Sequence, residues 1–180
     1  MIAGSLARRY ARAVLEIGVA QGTFEQLGKE LDDLATVYSS SRDLAEALTN
    51  PVFAHEKRRA VLEAVLGRVG VSPVTRNFVL LLLDRERMPY LPAIARELRA
   101  MVDERAGRVR ATVTSARPLS ADHVASVQAG LEKATGKKVL LEKREDASLL
   151  GGVVAKVGDV VYDGSVRTQL EQMRERFLAS

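Results

Sequence analysis

The hydrophobic period of this chain changes once, at Gly107, and that change limits the fold more than any other feature. Before it, apolar residues recur every three or four positions, the spacing of helices that bury one face. After it, Arg108-Val109-Arg110-Ala111-Thr112-Val113-Thr114 alternates polar and apolar, the spacing of a half-buried strand. The 180 residues therefore divide into a helical region, 1–105, and a mixed region, 106–180, each long enough for a small domain. The expected fold class is mainly α: an N-terminal six-helix bundle followed by a small α+β C-terminal domain.

The helices can be placed one by one. Leu6, Tyr10, Ala13, Val14 and Ile17 share one face of the first, and Gln21-Gly22 stops it. Thr23 is the expected cap of the second, with Gln26 in capping-box position, and Phe24, Leu27, Leu31, Leu34 and Tyr38 form its stripe. Ser39-Ser40-Ser41 breaks the chain, 43–48 makes a short third helix, and Asn50-Pro51 is a turn. A fourth helix is expected over 55–66, with Val61, Leu62, Val65 and Leu66 inward and Gly67 and Gly70 framing its end. Ser72-Pro73 opens a fifth, in which the run 78–83 is apolar on all sides and should lie at the centre of the bundle. Pro89 and Pro92 bracket the start of the sixth, whose stripe is Leu91, Ile94, Leu98, Met101 and Val102.

Past Gly107, Pro118-Leu119-Ser120 starts a helix through Val124, Val127, Leu131 and Ala134 that Gly136 ends. Segments 138–143, 150–157 and 160–162 read as further strands, with Gly158-Asp159 as a hairpin turn. Ser165 should cap a last helix carrying Val166, Leu170, Met173 and Phe177 on one face. A unit of about 75 residues is marginal by itself, so a partner is expected to support it.

The residue inventory argues against chemistry. There is no cysteine, hence no disulfide, thiolate metal site or cysteine nucleophile. His55 and His123 are too few for a multi-histidine metal centre and read as surface or capping groups. Gly151, Gly152, Gly158 and Gly164 fit neither nucleotide-binding fingerprint and read as bulge and turn glycines. Asp163-Gly164-Ser165 has no nucleophile elbow around it and reads as a turn with a helix cap.

Binding surfaces are less easily excluded. The net charge of +4 is spread thinly, and four Tyr, four Phe and no Trp are few for stacking on bases. Arg8, Arg9 and Arg12, then Lys57-Arg58-Arg59, then Lys137-Lys138, read as solvated basic faces, with Glu16 in place to pair with Arg12. Ala3, Ala7, Ala11 and Ala13 would admit a second helix closely, either from the bundle or from a partner. A membrane span needs about 20 apolar residues, and the longest apolar run is 78–83. The opening MIAGSLARRYARAV lacks the order of a signal peptide, so a soluble, unexported chain is expected.

Several motifs in sequence resemble one family across nearly the whole chain. They are Leu6-Ala7-Arg8-Arg9-Tyr10-Ala11-Arg12-Ala13, Asn50-Pro51-Val52-Phe53 with Lys57, Asn77-Phe78, and Pro89-Tyr90-Leu91-Pro92. The most specific lie near the end: Leu150-Gly151-Gly152-Val153, Lys156-Val157-Gly158-Asp159 and Asp163-Gly164-Ser165-Val166-Arg167-Thr168-Gln169-Leu170. Together they resemble the δ subunit of F-type ATP synthase, called the oligomycin-sensitivity-conferring protein in mitochondria.

The resemblance implies a non-catalytic stator subunit, with no cofactor or metal, linking the catalytic head to the peripheral stalk so that rotor torque drives ATP synthesis coupled to proton transport. Residues 1–105 would bind N-terminal segments of α subunits. A groove between the first and fifth helices would receive them, matching Tyr10, Ala13 and Val14 on one side and Asn77, Phe78 and Leu81 on the other. Residues 106–180 would meet the b subunits, with Val166, Leu170, Met173 and Phe177 as candidates, unless that stripe packs on the strands. One copy per complex is expected, touching the membrane only through the complex. The absence of a transit peptide points to the cytoplasmic face of a bacterial membrane. The competing classes are an RNA- or ribosome-associated binding protein, suggested by the basic clusters, and an enzyme built on the 151–165 glycine segment.

Overall fold

The computed structural model describes residues 2–146, 149, 151–158 and 160–178, with backbone alone for Ile2, Ala3, Gln169, Gln172 and 175–178. The chain forms two compact units, Met1–Val102 and Asp103–Ser180.

The first unit is a helical bundle. Its elements are α1 (Ile2–Gln21), α2 (Phe24–Ser40), α3 (Arg42–Thr49), α4 (His55–Val69), α5 (Pro73–Asp84), a 3-10 turn at Met88–Tyr90, and α6 (Leu91–Arg105). One apolar core runs through it, from Ala7, Ala11 and Val14 through Leu31, Leu66, Leu82 and Leu83 to Ile94 and Leu98.

The inward face of α1 is rotated from the expected one. Ala7, Ala11, Val14 and Gly18 are buried, whereas Ala13 and Ile17 point outward. Small side chains decide this. A Cβ added at Gly18 would lie 2.7 Å from the Cα of Phe24, so α1 and α2 meet there with no room to spare. The alanine question is thereby answered for Ala7 and Ala11, which pack inside the bundle.

Other boundaries also shift. Thr23 makes no side-chain cap; Gln26 donates to Glu30 instead of reaching back to it. The serine run does not break α2 until Ser41, whose hydroxyl accepts from the Leu44 N–H and caps α3. Gly67 does not end α4. The helix runs on to Val69 and closes at Gly70, which adopts the left-handed conformation at φ 74°. Leu62 and Leu66 face inward as expected, but Val61 faces solvent, and Arg58 takes the inward position one turn earlier. Ser72 caps α5 with Pro73 in its first turn, as expected. The run 78–83 is not buried on every side: Leu81 is 42% exposed.

The second unit holds β1 (Arg108–Ser115), α7 (Ala121–Thr135), β2 (Lys138–Glu145), β3 (Gly152–Val157), β4 (Val160–Ser165) and α8 (Val166–Leu178). The sheet order is β2-β1-β3-β4. The α7 crossover makes β1 and β2 parallel, while β3 runs antiparallel to both β1 and β4. Ala111, Val113, Val139, Ala155 and Val157 line one apolar cluster with Leu131 of α7.

Three strands, β1, β2 and β4, exceed their expected lengths because their ladders continue. Ser115 still pairs with Glu145, and Gly152 with Ser165. That last pairing explains the double glycine: Gly152 has φ 82°, and a Cβ there would lie 2.4 Å from the Gly164 carbonyl oxygen. Val157 pairs with Val160 across the hairpin, where Gly158 has φ 58°. Leu150, expected to begin β3, and Asp159, expected in the turn, lie outside the described residues.

Candidate partner-binding surfaces

The described residues assemble no reactive constellation. They contain no cluster of three or more acidic, histidine or cysteine side chains placed to hold a metal. His55 Nε2 lies 3.1 Å from the Asp84 carboxylate, and His123 Nδ1 lies 2.9 Å from the Ser120 hydroxyl that caps α7. Ser165 accepts from the Thr168 N–H at the start of α8. Asp163 accepts from the Ser165 N–H and the Thr168 hydroxyl, each at 2.8 Å, which holds its carboxyl below the usual range. The segment is a helix cap, as the sequence suggested. No described helix is long and apolar enough to cross a membrane.

What the bundle does present is a face shared by α1 and α5. The rings of Tyr10 and Phe78 meet with centroids 6.1 Å apart and planes at 59°, a tilted contact between the two helices. Both rings are half-buried. Around them Ala13 and Asn77 are exposed, and Leu81 and Ile17 leave 42% and 44% of their surface open. The structure therefore brings Tyr10 and Phe78 together and leaves Ala13, Asn77 and Leu81 exposed on the same two helices. Val14 does not belong with them: at 1% exposure it is part of the core, because α1 turns its Ala7–Ala11–Val14 edge inward.

Ile17, two turns on from Tyr10, is exposed on α1 as well, where the sequence reads it on the inward stripe. Arg87 was not foreseen either. Its guanidinium stacks over the Tyr10 ring at 5.3 Å and donates through Nη1 to the Tyr10 hydroxyl, while Arg9 approaches the same ring at 5.9 Å. Arg87 lies beyond the end of α5 and has no periodicity to betray it.

A tight turn places it there. The Glu86 N–H donates to the Leu83 carbonyl, and the Arg87 N–H to the Leu82 carbonyl at 2.7 Å, the double closure of a Schellman end. This puts Glu86 in the left-handed region at φ 55°, where glycine is usual. Arg58 of α4 holds it by a bidentate pair, both bonds at 2.8 Å. Those bonds keep the Glu86 carboxyl below the usual carboxylate range. Thus Lys57-Arg58-Arg59 is not a solvated basic face throughout: Arg58 is buried, and Arg59 pairs with Glu63 and Asp84. Arg12 does pair with Glu16, at 3.1 Å.

The start of α5 is fixed from α2. Glu30 accepts from the Ser72 N–H (3.1 Å), the Ser72 hydroxyl (2.7 Å) and the Thr75 hydroxyl (2.5 Å). Burial pushes the Glu30 carboxyl up, but bonds from Ser72, Thr75 and Gln26 outweigh it and leave the pKa lowered.

In the second unit the stripe on α8 is open. Val166, Leu170 and Met173 are 39%, 56% and 53% exposed, although Val166 also packs against Gly151 just before β3. The Phe177 side chain lies outside the described residues. Val160 and Val161 of the edge strand β4 are exposed too. A shallow apolar cleft of about 430 Å³ opens between α7 and the sheet, lined by Val127, Leu131, Ala134, Val153, Ala155 and Tyr162 among others.

Comparison with known proteins gives a consistent result. The family model described as ATP synthase delta (OSCP) subunit matches residues 6–177. The ATP synthase subunit delta of Myxococcus xanthus (strain DK1622) is 47% identical over 176 residues, covering 97% of each chain. That of Anaeromyxobacter dehalogenans (strain 2CP-1) is 46% identical over 175 residues, covering 97% of this chain and 98% of its own. A chain in the cryo-EM structure of the Toxoplasma gondii mitochondrial ATP synthase hexamer matches with a TM-score of 0.72. At 23% identity, covering 97% of this chain and 98% of that one, the likeness is one of fold. The RNA- or ribosome-associated reading finds no support among these relatives.

Proposed function

Since the chain belongs to the ATP synthase delta (OSCP) subunit family and is thus a non-catalytic subunit of an ATP synthase, we propose that it serves as the stator joint with one docking surface on each unit. The bundle would hold the N-terminal segments of α subunits on the catalytic head. The α+β unit would hold the b subunits of the peripheral stalk, with one copy per complex at the cytoplasmic face of the membrane.

The observation behind this reading is the distribution of uncovered apolar surface. Ile17 and Leu81 flank the Tyr10–Phe78 contact on the bundle, and Val166, Leu170 and Met173 line α8 on the other unit. Contiguous exposed apolar side chains mark interaction sites, and here each unit carries its own set. The mechanism is mechanical. Rotation drags on the catalytic head, and a subunit bound at once to head and stalk resists that drag, so torque is spent on the catalytic sites instead of turning the head. Apolar contacts suit the task because they resist force without needing a reactive group, and a few desolvated anchors supply most of the affinity.

Two exposed substitutions test the assignment separately. Leu81→Glu should weaken binding of the full chain to a peptide copying the α-subunit N-terminus by at least about tenfold in titration calorimetry, and leave b-subunit binding unchanged. Leu170→Glu should do the reverse. If both variants lose the same partner, or neither loses any, the two-surface assignment is wrong.

A further inference from the structure

We propose that Arg58 and Glu86 are positioning residues for the docking face: their ion pair does the work of a glycine in holding the left-handed turn that closes α5, and that turn fixes the edge of the face beside Tyr10. Neither residue needs to touch the partner. This rests on the docking reading above and extends it to α4, a helix that does not itself carry the face.

Glu86 sits in a conformation that its residue type opposes. Among the described residues it alone has a positive φ without being glycine, at 55°. Helices α1, α4, α6 and α7 are each followed by a glycine in that region: Gly22, Gly70, Gly107 and Gly136, at φ 69°, 74°, 64° and 67°. A side chain there crowds the backbone, a cost that glycine escapes. Only α5 closes this way on a residue with a Cβ.

The compensation comes from α4. Arg58 donates through Nη1 and Nη2 to the two Glu86 carboxylate oxygens, both at 2.8 Å. Its side chain is 7% exposed, and its Nε is buried with no hydrogen-bond partner among the described residues. A buried ion pair adds little stability over apolar residues of like volume, so its use here is to select a backbone conformation. The neighbouring acid is engaged elsewhere, since Asp84 meets His55 and Arg59.

The turn reaches the face within one residue. With Glu86 left-handed, its N–H and that of Arg87 close on the Leu83 and Leu82 carbonyls. The chain then sets the Arg87 side chain over the Tyr10 ring at 5.3 Å and sends Met88 into the core. Tyr10 in turn meets Phe78. Loss of the turn would free one side of the Tyr10 ring, and an anchor that must be ordered during docking binds less tightly than one already fixed.

The test lets glycine stand in for the ion pair. Binding is read by calorimetric titration of the full chain with a synthetic peptide copying the α-subunit N-terminus, and stability by thermal unfolding. Arg58→Met and Glu86→Ala should each weaken binding about five- to tenfold, because nothing then holds the turn. Glu86→Gly should bind within about twofold of the unaltered chain, yet unfold at a lower temperature because Arg58 stays buried without a carboxylate. Arg58→Met combined with Glu86→Gly should recover both binding and unfolding temperature, a rescue that an arginine acting only as filler would not show. A double variant that binds as poorly as Arg58→Met overturns the inference and leaves the docking face standing. So does Glu86→Gly binding as poorly as Glu86→Ala, or Arg58→Met binding like the unaltered chain. Failure of the unaltered chain to bind the peptide overturns the docking reading itself, and this inference with it.

Discussion

The bundle and the α+β unit solve the same problem of stability in different ways. The bundle buries one continuous cluster with side chains from every one of its helices; α1 gives mostly small ones, Ala7 and Ala11 beside Val14, and Gly18 lets α2 come close. The α+β unit relies on a thinner cluster of Ala111, Val113, Leu131, Val139, Ala155 and Val157 among its described residues. Beside that cluster it has the ladder hydrogen bonds, the close approach of Gly152 to Gly164, and the Asp163–Ser165–Thr168 cap. It also leaves the apolar stripe of α8 uncovered. A small domain buries a smaller share of its surface and is correspondingly marginal. The contrast teaches that both units leave apolar side chains exposed, but the bundle does so over a much larger core of its own.

The strongest way to break that contrast is to open the larger core. Leu98→Ala, at a site with 0% exposure, should cost about 2–5 kcal/mol. Urea unfolding followed by hydrogen exchange should place the loss in the bundle. An equal loss of protection in β1–β4 would mean that the two units unfold as one.

Gly152→Ala probes the smaller unit. The added Cβ meets backbone in the left-handed region, so about 1–3 kcal/mol should be lost. Though smaller than the first effect, it should be the larger fraction of its own unit's stability. Exchange of amides in β3 and β4 at the wild-type rate would show that the close approach is dispensable.

Glu30→Gln is the mildest. Its site is partly solvated, so the loss at neutral pH should be about 1 kcal/mol. The folded pKa lies below the ordinary value of 4.5, so the carboxylate's contribution is complete above that pH. It should disappear as pH falls through the lowered folded value, and wild type and variant should then converge. A gap that stays constant on acidification would refute the role of the charge.

Reading the sequence went furthest where the signal is local. Ser72, Ser120 and Gly136 sit where capping chemistry puts them, and the alternation after Gly107 does become a strand buried at Ala111, Val113 and Ser115. The candidate faces came from the family resemblance and not from the repeat, which reads 78–83 as buried on all sides although Leu81 is exposed. For Val14 the repeat, which puts it on the apolar stripe of α1, agrees with its burial, whereas the resemblance places it in the groove; for Ala13 and Ile17 the same stripe fails, because a helical stripe is wide and the repeat does not say which edge a neighbour will cover. Glu86 looked like any acid, although its backbone conformation depends on Arg58, 28 residues earlier.

By itself the sequence determined the element types, their order and the division between helical and alternating regions, because periodicity and caps act within a few residues. Only the tertiary structure decided which edge of α1 is buried, that β2 runs parallel to β1, that Leu81 stays outside, and that Arg87 stacks on Tyr10. Those outcomes depend on close approach and charge pairing between residues distant in the chain, such as Gly18 against Phe24 and Arg58 against Glu86. No local pattern encodes the distance between two helices; packing sets it.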